Sequence, residues 1–334
     1  MDRKITLAYG DGGELAHKLI QQIFVSAFGN RDASRFDASF LSLKNGEIAV
    51  TTDSFVVKPL FFPGGDIGKI AVSGTVNDLA VAGAVPLYLT AGFIIEEGFP
   101  LADLRKIVRS LADEAANAGV EVVAGDTKVV EKGGADGVYI NTTGVGLKRS
   151  EGAMDPSRIE PDDEIIISGP IGDHGIAILA ARGELGLMTE LQSDCAPLNK
   201  MIDAVLDAGC DVKMMRDPTR GGIATTLVEI AEDFHATFEI SESLLPVRDE
   251  VRGACDILGF DPMYLANEGK VLMVVSHADA QKALDAMHSF NEGKQATVIG
   301  HVTGKGIGQL LLETPLGSKR RIHRLSGMML PRIC

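Results

Sequence analysis

Asp53, Asp78 and Asp126 are spread through one stretch of alternating strand and helix patterns, and Lys128 follows the last of them by two residues. Carboxylates at strand ends suit Mg2+, a hard cation that takes oxygen ligands. A lysine beside such a metal is a recurrent means of neutralising a phosphoryl group in transfer. For any one of these aspartates, capping a turn is the simpler role. Three in one α/β unit favour the metal, although spacing alone does not make them converge. Asn77 and Asp78 form a polar pair inside a small, apolar helix pattern, and polar groups buried there need partners. A metal or nucleotide would supply them, and so would an internal hydrogen-bond network.

Other chemistry-bearing residues sit beside glycines. The loop Ala8-Tyr9-Gly10-Asp11-Gly12-Gly13 precedes a helix pattern over 14–28, where bare backbone amides can approach phosphate oxygens. Phe61 to Lys69 imitates a P-loop and is not one, because Pro63 replaces the first glycine and Ile70 the final Ser/Thr. Asp217-Pro218-Thr219-Arg220-Gly221-Gly222 combines glycines, an arginine and a helix start, which suits an anion. His174 is either a base or a local cap at a helix start. Glu268, in Asn267-Glu268-Gly269-Lys270, is either a general base or a solvated residue before a strand.

The chain ends on a thiol, Pro331-Arg332-Ile333-Cys334. Pro331 disfavours a helical end and biases the terminus toward extension. From Pro315 onward there are five basic residues and no acid, so the −14 of the whole chain leaves −19 on residues 1–314. A basic tail on an acidic body falls back onto that body or onto a bound polyanion. Twenty residues from Thr314 to Cys334 span at most roughly 65–70 Å when extended. The competing reading is a frayed end with an accidental cysteine.

Strand patterns over 47–52, 87–95, 120–124 and 138–147, with helices over 67–83 and 101–118, must position the first group of residues. Strands over 164–168, 213–216 and 271–276 must position the second. This alternation predicts an α/β (α+β) fold in two domains. The boundaries read 1–36 for a glycine loop and helix, 37–150 for an N-terminal domain, 151–314 for a C-terminal α+β domain, and 315–334 for a mobile tail. A 45% hydrophobic, 23% charged composition is that of a soluble globular chain. The four cysteines show no metal spacing, and the Met1-Asp2-Arg3-Lys4 start shows no signal peptide. The longest uncharged run, 79–95, is broken by Gly83, Pro86 and Gly92, so no membrane span is expected. The expected location is the cytoplasm, with reduced thiols, and the acidic balance disfavours nucleic acid.

Several short motifs, in order, resemble one family. They are Thr52-Asp53-Ser54, Pro59-Leu60-Phe61-Phe62-Pro63-Gly64-Gly65, Val76-Asn77-Asp78, Gly125-Asp126-Thr127-Lys128-Val129-Val130, Gly172-Asp173-His174-Gly175, Asp217-Pro218-Thr219-Arg220, Asn267-Glu268-Gly269-Lys270 and the terminal Pro331-Arg332-Ile333-Cys334. Together they are similar to the family of aminoimidazole ribonucleotide synthetase, selenophosphate synthetase and thiamine-phosphate kinase, and within it to the branch that matures hydrogenases. One departure is Tyr9-Gly10-Asp11, where the family has His-Gly and a small residue.

The resemblance implies an ATP-dependent dehydration carried out on the chain's own C-terminus. A carbamoyltransferase partner would load a carboxamide on Cys334, and ATP would activate its oxygen. Loss of phosphate would leave a thiocyanate, the source of a cyanide ligand for [NiFe]-hydrogenase iron on an accessory complex. It also implies a homodimer. Site residues carried over are Asp53, Asp78 and Asp126 for Mg2+ and ATP, with Asn77, Thr127, Gly12 and Gly13 beside the nucleotide and Asp66 and Lys69 near its phosphates. Lys128 and Glu268 would orient and deprotonate the carboxamide nitrogen. The alternatives are a related ATP enzyme acting on a small amide or metabolite, and a metal carrier using the tail thiol. Selenophosphate synthetase is disfavoured, since residues 1–194 contain no cysteine.

Overall fold

The computed structural model describes residues 13–25, 37–43, 46–149, 154–183, 186 and 188–325. A short helix α1 (Glu14–Leu19) continues as a π-helical turn, Ile20–Val25, so the helix expected over 14–28 is seen in part. Strands β1 (Ser39–Leu43) and β2 (Gly46–Phe55) form a hairpin. The two-residue strands β3 (Phe61–Phe62) and β4 (Gly65–Asp66) lead into α2 (Ile67–Val81), β5 (Ala84–Glu96), α3 (Leu101–Ala118), β6 (Glu121–Val130) and β7 (Val138–Lys148). The first sheet runs β1-β2-β7-β5-β6, with β5 and β6 parallel and the other pairs antiparallel.

The rest of the chain comprises β8 (Glu164–Ile167), α4 (Asp173–Arg182), α5 (Asn199–Asp207), β9 (Val212–Arg216), α6 (Gly222–Asp233), β10 (Ala236–Ser241), α7 (Asp249–Leu258), β11 (Leu272–Val275), α8 (Ala280–His288), β12 (Thr297–Lys305), β13 (Gln309–Glu313) and β14 (Lys319–Ile322). These strands make a second sheet in the order β14-β13-β10-β12-β8-β11-β9. The expected mixed fold is what the chain adopts. No helix among the described residues is long and apolar enough to cross a membrane.

Helix α2 organises the molecule. Thirteen of its fifteen residues are buried, and a helix apolar on every side must be enclosed on every side. Ile67, Ile70 and Ala71 pack on Phe55, Val138 and Ile140 of the first sheet and on Ile178 of α4. Ala80 and Val81 join Met201, Ile202, Met273 and Met287 in the core of the second domain. Each fully buried Ile or Leu there contributes about 1.5–3 kcal/mol. By contrast, α3 buries the stripe Ile107, Leu111, Ala115 and Ala118, with Glu114 beside it, and stops at Gly119 in the left-handed conformation.

Three sequence expectations are corrected. Asp53 lies within β2 rather than beyond its end, opposite Thr142, because pairing with β7 continues to Phe55. The Gly125–Lys128 run is the middle of β6 and not a turn. A Cβ at Gly125 would stand 2.7 Å from the Ala91 carbonyl oxygen, so glycine serves a close strand approach there. The basic segment after 314 is not all tail. β14 pairs with β13, and Lys319–Glu239 (2.6 Å), Arg320–Asp261 (3.3 Å) and Arg324–Glu232 (2.7 Å) bind three of its five charges to the acidic body.

Candidate active site

Three carboxylates meet where the two domains join. Oxygens of Asp37, ahead of β1, Asp78, late in α2, and Asp217, just after β9, all lie within 4.8 Å of one another. Thr51 Oγ1 donates to Asp78 Oδ2 at 2.8 Å. Arg216 pairs with Asp37 at 2.7 Å and with Glu229 at 3.7 Å, while Arg220 pairs with Asp53 at 3.2 Å.

The cations do not cancel the acids. Burial, and then the charges of Asp53, Asp217 and Asp37, push the Asp78 carboxyl well above its usual range. Burial and Asp37 raise Asp217 to about 7, and burial raises Asp37 even with Arg216 beside it. A half-buried group of all-oxygen donors with surplus negative charge fits a hard divalent cation such as Mg2+, which would remove the repulsion.

The expected trio is only partly assembled. Asp78 is in the cluster and Asp53 borders it, but Asp126 does not join them. Strand register places Asp53 in the row of Thr142, Ala91 and Gly125, and Asp126 in the next row with Gly92, Asn141 and Ser54. Adjacent rows face opposite sides of a sheet, and Thr142 is on the buried side. Asp126 and Lys128 therefore belong to the outer, open face, on an edge strand exposed from Glu121 to Val129. Thr127 is also on that exposed strand. Asp37 and Asp217 were missed. Asp217 ends a buried strand, the same signal that singled out Asp53, while nothing local distinguishes Asp37.

One turn back along α2 lies the other half of the site. Asn77 Nδ2 donates to the carbonyls of Ala196 (3.1 Å) and Glu268 (3.3 Å), and its Oδ1 accepts from the Leu198 N–H (2.7 Å). Of the expected partners for this polar pair, Asn77 has the hydrogen-bond network and Asp78 the acidic cluster. Glu268 is 4% exposed, so it is no solvated residue. A Cβ on Gly74 would stand 4.0 Å from Glu268 Oε2 and 3.0 Å from Phe55 Cε1, so the bare glycine admits both against the helix. The segment is also tied to the acidic loop, since the Asn267 N–H donates to the Pro218 carbonyl at 3.2 Å.

Other candidates take structural positions. Asp66 caps α2, accepting from the Gly68 and Lys69 amides at 2.7 and 3.1 Å, and Lys69 Nζ donates to the Gly64 carbonyl at 3.2 Å. His174 is wholly buried, hydrogen-bonds Ser193 through Nδ1 at 2.8 Å and is pushed down to about 4, chiefly by burial. It is a neutral core ring set edge-on to Phe62. Cys195 hydrogen-bonds Ser73 Oγ at 3.0 Å, and burial holds it as a thiol. Gly13 is buried where a Cβ would stand 2.3 Å from the Leu325 carbonyl oxygen. Gly12 and Cys334 lie outside the described residues.

This two-domain architecture is that of the AIR synthase related proteins. Residues 36–148 match the N-terminal domain of that family and residues 160–313 its C-terminal domain. The carbamoyl dehydratase HypE of Rhodobacter capsulatus is 48% identical over 336 residues, covering 100% of this chain and 99% of the relative. A solved HypE–HypF complex contains a chain 50% identical with a TM-score of 0.86, covering 92% of this chain and 99% of that one. A HypE structure in complex with ATP is 44% identical with a TM-score of 0.82, covering 99% and 100%. The chain belongs to the HypE family of carbamoyl dehydratases.

Proposed function

We propose that this chain is an ATP-dependent carbamoyl dehydratase acting on its own Cys334 in the cytoplasm. A HypF-type carbamoyltransferase places a carboxamide on the Cys334 sulfur. The carboxamide oxygen attacks the γ-phosphorus of ATP and ADP leaves, which turns a very poor leaving group into a good one. Both N–H protons are then removed as phosphate departs with that oxygen. The product is a protein thiocyanate, and its cyanide passes to iron on an accessory complex for the [NiFe]-hydrogenase. The observation that carries this reading is the full-length kinship with HypE dehydratases.

Asp37, Asp78 and Asp217, with Asp53 beside them, would hold Mg2+. When bound, Mg2+ supplies positive charge to the phosphate oxygens of ATP. Glu268, buried against α2 one turn from Asp78, would take a proton from the carboxamide nitrogen. Lys128 is on the opposite, open face of the first sheet and would reach that group only in an assembly that closes that face. This face exposes Tyr88 and Ile94, and β6 exposes Val122, Val123 and Val129. A homodimer closed over it would bring Asp126 and Lys128 into an enclosed site, while Thr127 faces the other side of the strand.

The tail geometry supports the same reading. The Leu325 N–H donates to Thr225 Oγ1 at 3.3 Å, on the first turn of α6 and directly after the loop that carries Asp217 and Arg220. The nine residues from there to Cys334 reach at most about 30 Å. That is less than half the reach expected for a tether starting at 314.

Intact mass spectrometry after incubation with the carbamoyltransferase, carbamoyl phosphate and ATP tests the proposal. The expected course is one carboxamide on Cys334, followed by ATP-dependent loss of one water. A full adduct on the Cys334→Ala protein would refute the tail as substrate.

A further inference from the structure

Glu268 is held by its backbone, and the group that holds its N–H has no part in the chemistry described so far. Asp194 Oδ1 accepts from the Glu268 amide at 3.0 Å, while Asn77 Nδ2 donates to the Glu268 carbonyl at 3.3 Å. Both peptide groups flanking the Glu268 Cα are therefore fixed, one from each domain. The Asp194 side chain is 3% exposed and pairs at 3.1 Å with Lys270 Nζ, itself on a side chain 8% exposed. Lys270 Nζ also donates to the Gly269 carbonyl at 3.1 Å. Between them, Gly269 presses so closely that a Cβ would stand 1.8 Å from the Asp194 carbonyl oxygen. This pair floors an open cleft of about 480 Å3 whose rim includes Arg248, Asp173 and Glu292.

A buried ion pair is a poor device for stability alone, because desolvation offsets much of the attraction. A charged acceptor does bind an amide more firmly than a neutral one. With Lys270 neutralising it, Asp194 can supply that strong acceptor without setting an uncompensated negative charge beside the Glu268 carboxylate.

We propose that Asp194 is a positioning residue for the dehydration step: through its bond to the Glu268 amide it aims the Glu268 carboxylate at the carboxamide nitrogen, and Lys270 holds it in place. This rests on the reading of Glu268 as the base.

The test uses the full chain loaded with carboxamide at Cys334, following ATP-dependent water loss in a single turnover by intact mass. Removing Asp194 alone would strand the Lys270 ammonium in the interior, so Lys270→Met accompanies each change. Asp194→Asn/Lys270→Met keeps an oxygen acceptor for the Glu268 amide, now a neutral one, and is expected to be only a few-fold slower than the parent. Asp194→Ala/Lys270→Met removes the acceptor and is expected to be slower by about tenfold to a hundredfold, the scale of a misaimed catalytic group. Its ATP affinity and melting temperature should match those of the Asn/Met protein. Placed in a Glu268→Gln background, the Ala/Met change should slow the step no further, since Asp194 acts only through Glu268.

Equal rates for the Ala/Met and Asn/Met proteins overturn the proposal. So does additive slowing in the Glu268→Gln background, or slowing matched by a fall in ATP affinity and melting temperature. If Glu268→Gln itself turns over at the parent rate, the base assignment falls and the positioning role falls with it. If Glu268→Gln is slow while Ala/Met is fast, only the positioning role fails.

Discussion

The acids at the domain junction behave oppositely to salt-bridged carboxylates. Asp217 sits at about 7 in the folded chain, against an ordinary 3.8, because burial and Asp37 oppose its charge. Between those values the folded state binds more protons than the unfolded state, so this group's contribution to stability falls as pH rises from about 4 to 7. Asp78 and Asp37 shift in the same direction. In scanning calorimetry of the metal-free protein, the melting temperature should drop through this window, and Asp217→Asn should flatten the drop. Mg2+ should raise the melting temperature more at pH 8 than at pH 5, where protons already quench the repulsion. An Asp217→Asn protein with the parent's pH slope would remove the cluster as its source.

At the scale of elements, α2 carries both halves of the site four residues apart, on a helix enclosed by both domains. Asn77→Ala would leave the Leu198 N–H and the Ala196 and Glu268 carbonyls short of their partner in a dry interior. The expected cost is about 2–4 kcal/mol in urea unfolding, and a loss below about 0.5 kcal/mol would contradict the bracket role. The C-terminal segment is anchored as far as Leu325. Deletion of 326–334 keeps those contacts and should abolish carbamoylation. Deletion of 315–334 also removes β14 and the Arg324–Glu232 pair, and should destabilise clearly. Equal melting temperatures for the two truncations would return the tail to its longer, expected form.

For the whole molecule, β6, an edge strand among the described residues, and the open face beside it form the surface that the proposed homodimer would cover. Ile94 is 44% exposed on that face, in the same row as Lys128. Ile94→Asp should yield monomers by light scattering and strongly reduce water loss from the carboxamide, while carbamoylation of Cys334 continues. A monomeric variant with parental turnover would rule out a shared site. Much of this architecture was legible beforehand. The helix over 101–118 and the strand starting at 138 appear where hydrophobic periodicity puts them, because period and breakers are local properties. Strand ends were less legible, as at Asp53 and Gly125, because a strand continues while a neighbour offers hydrogen bonds and the neighbour is remote in sequence.

Sequence alone determined the reaction class: the ordered motifs, the terminal thiol and the acids that want a cation. Only the tertiary structure decided which acids meet. Asp37 and Asp217 lie 180 residues apart and share a site because the segment ahead of β1 meets the end of β9, where Arg216 pairs with Asp37. Asp126, fully visible as a motif, is turned away from Asp53 because the next row of a pleated sheet faces the other side. Residue type sets what a side chain can do. Its partners depend on long-range packing, which local spacing does not encode.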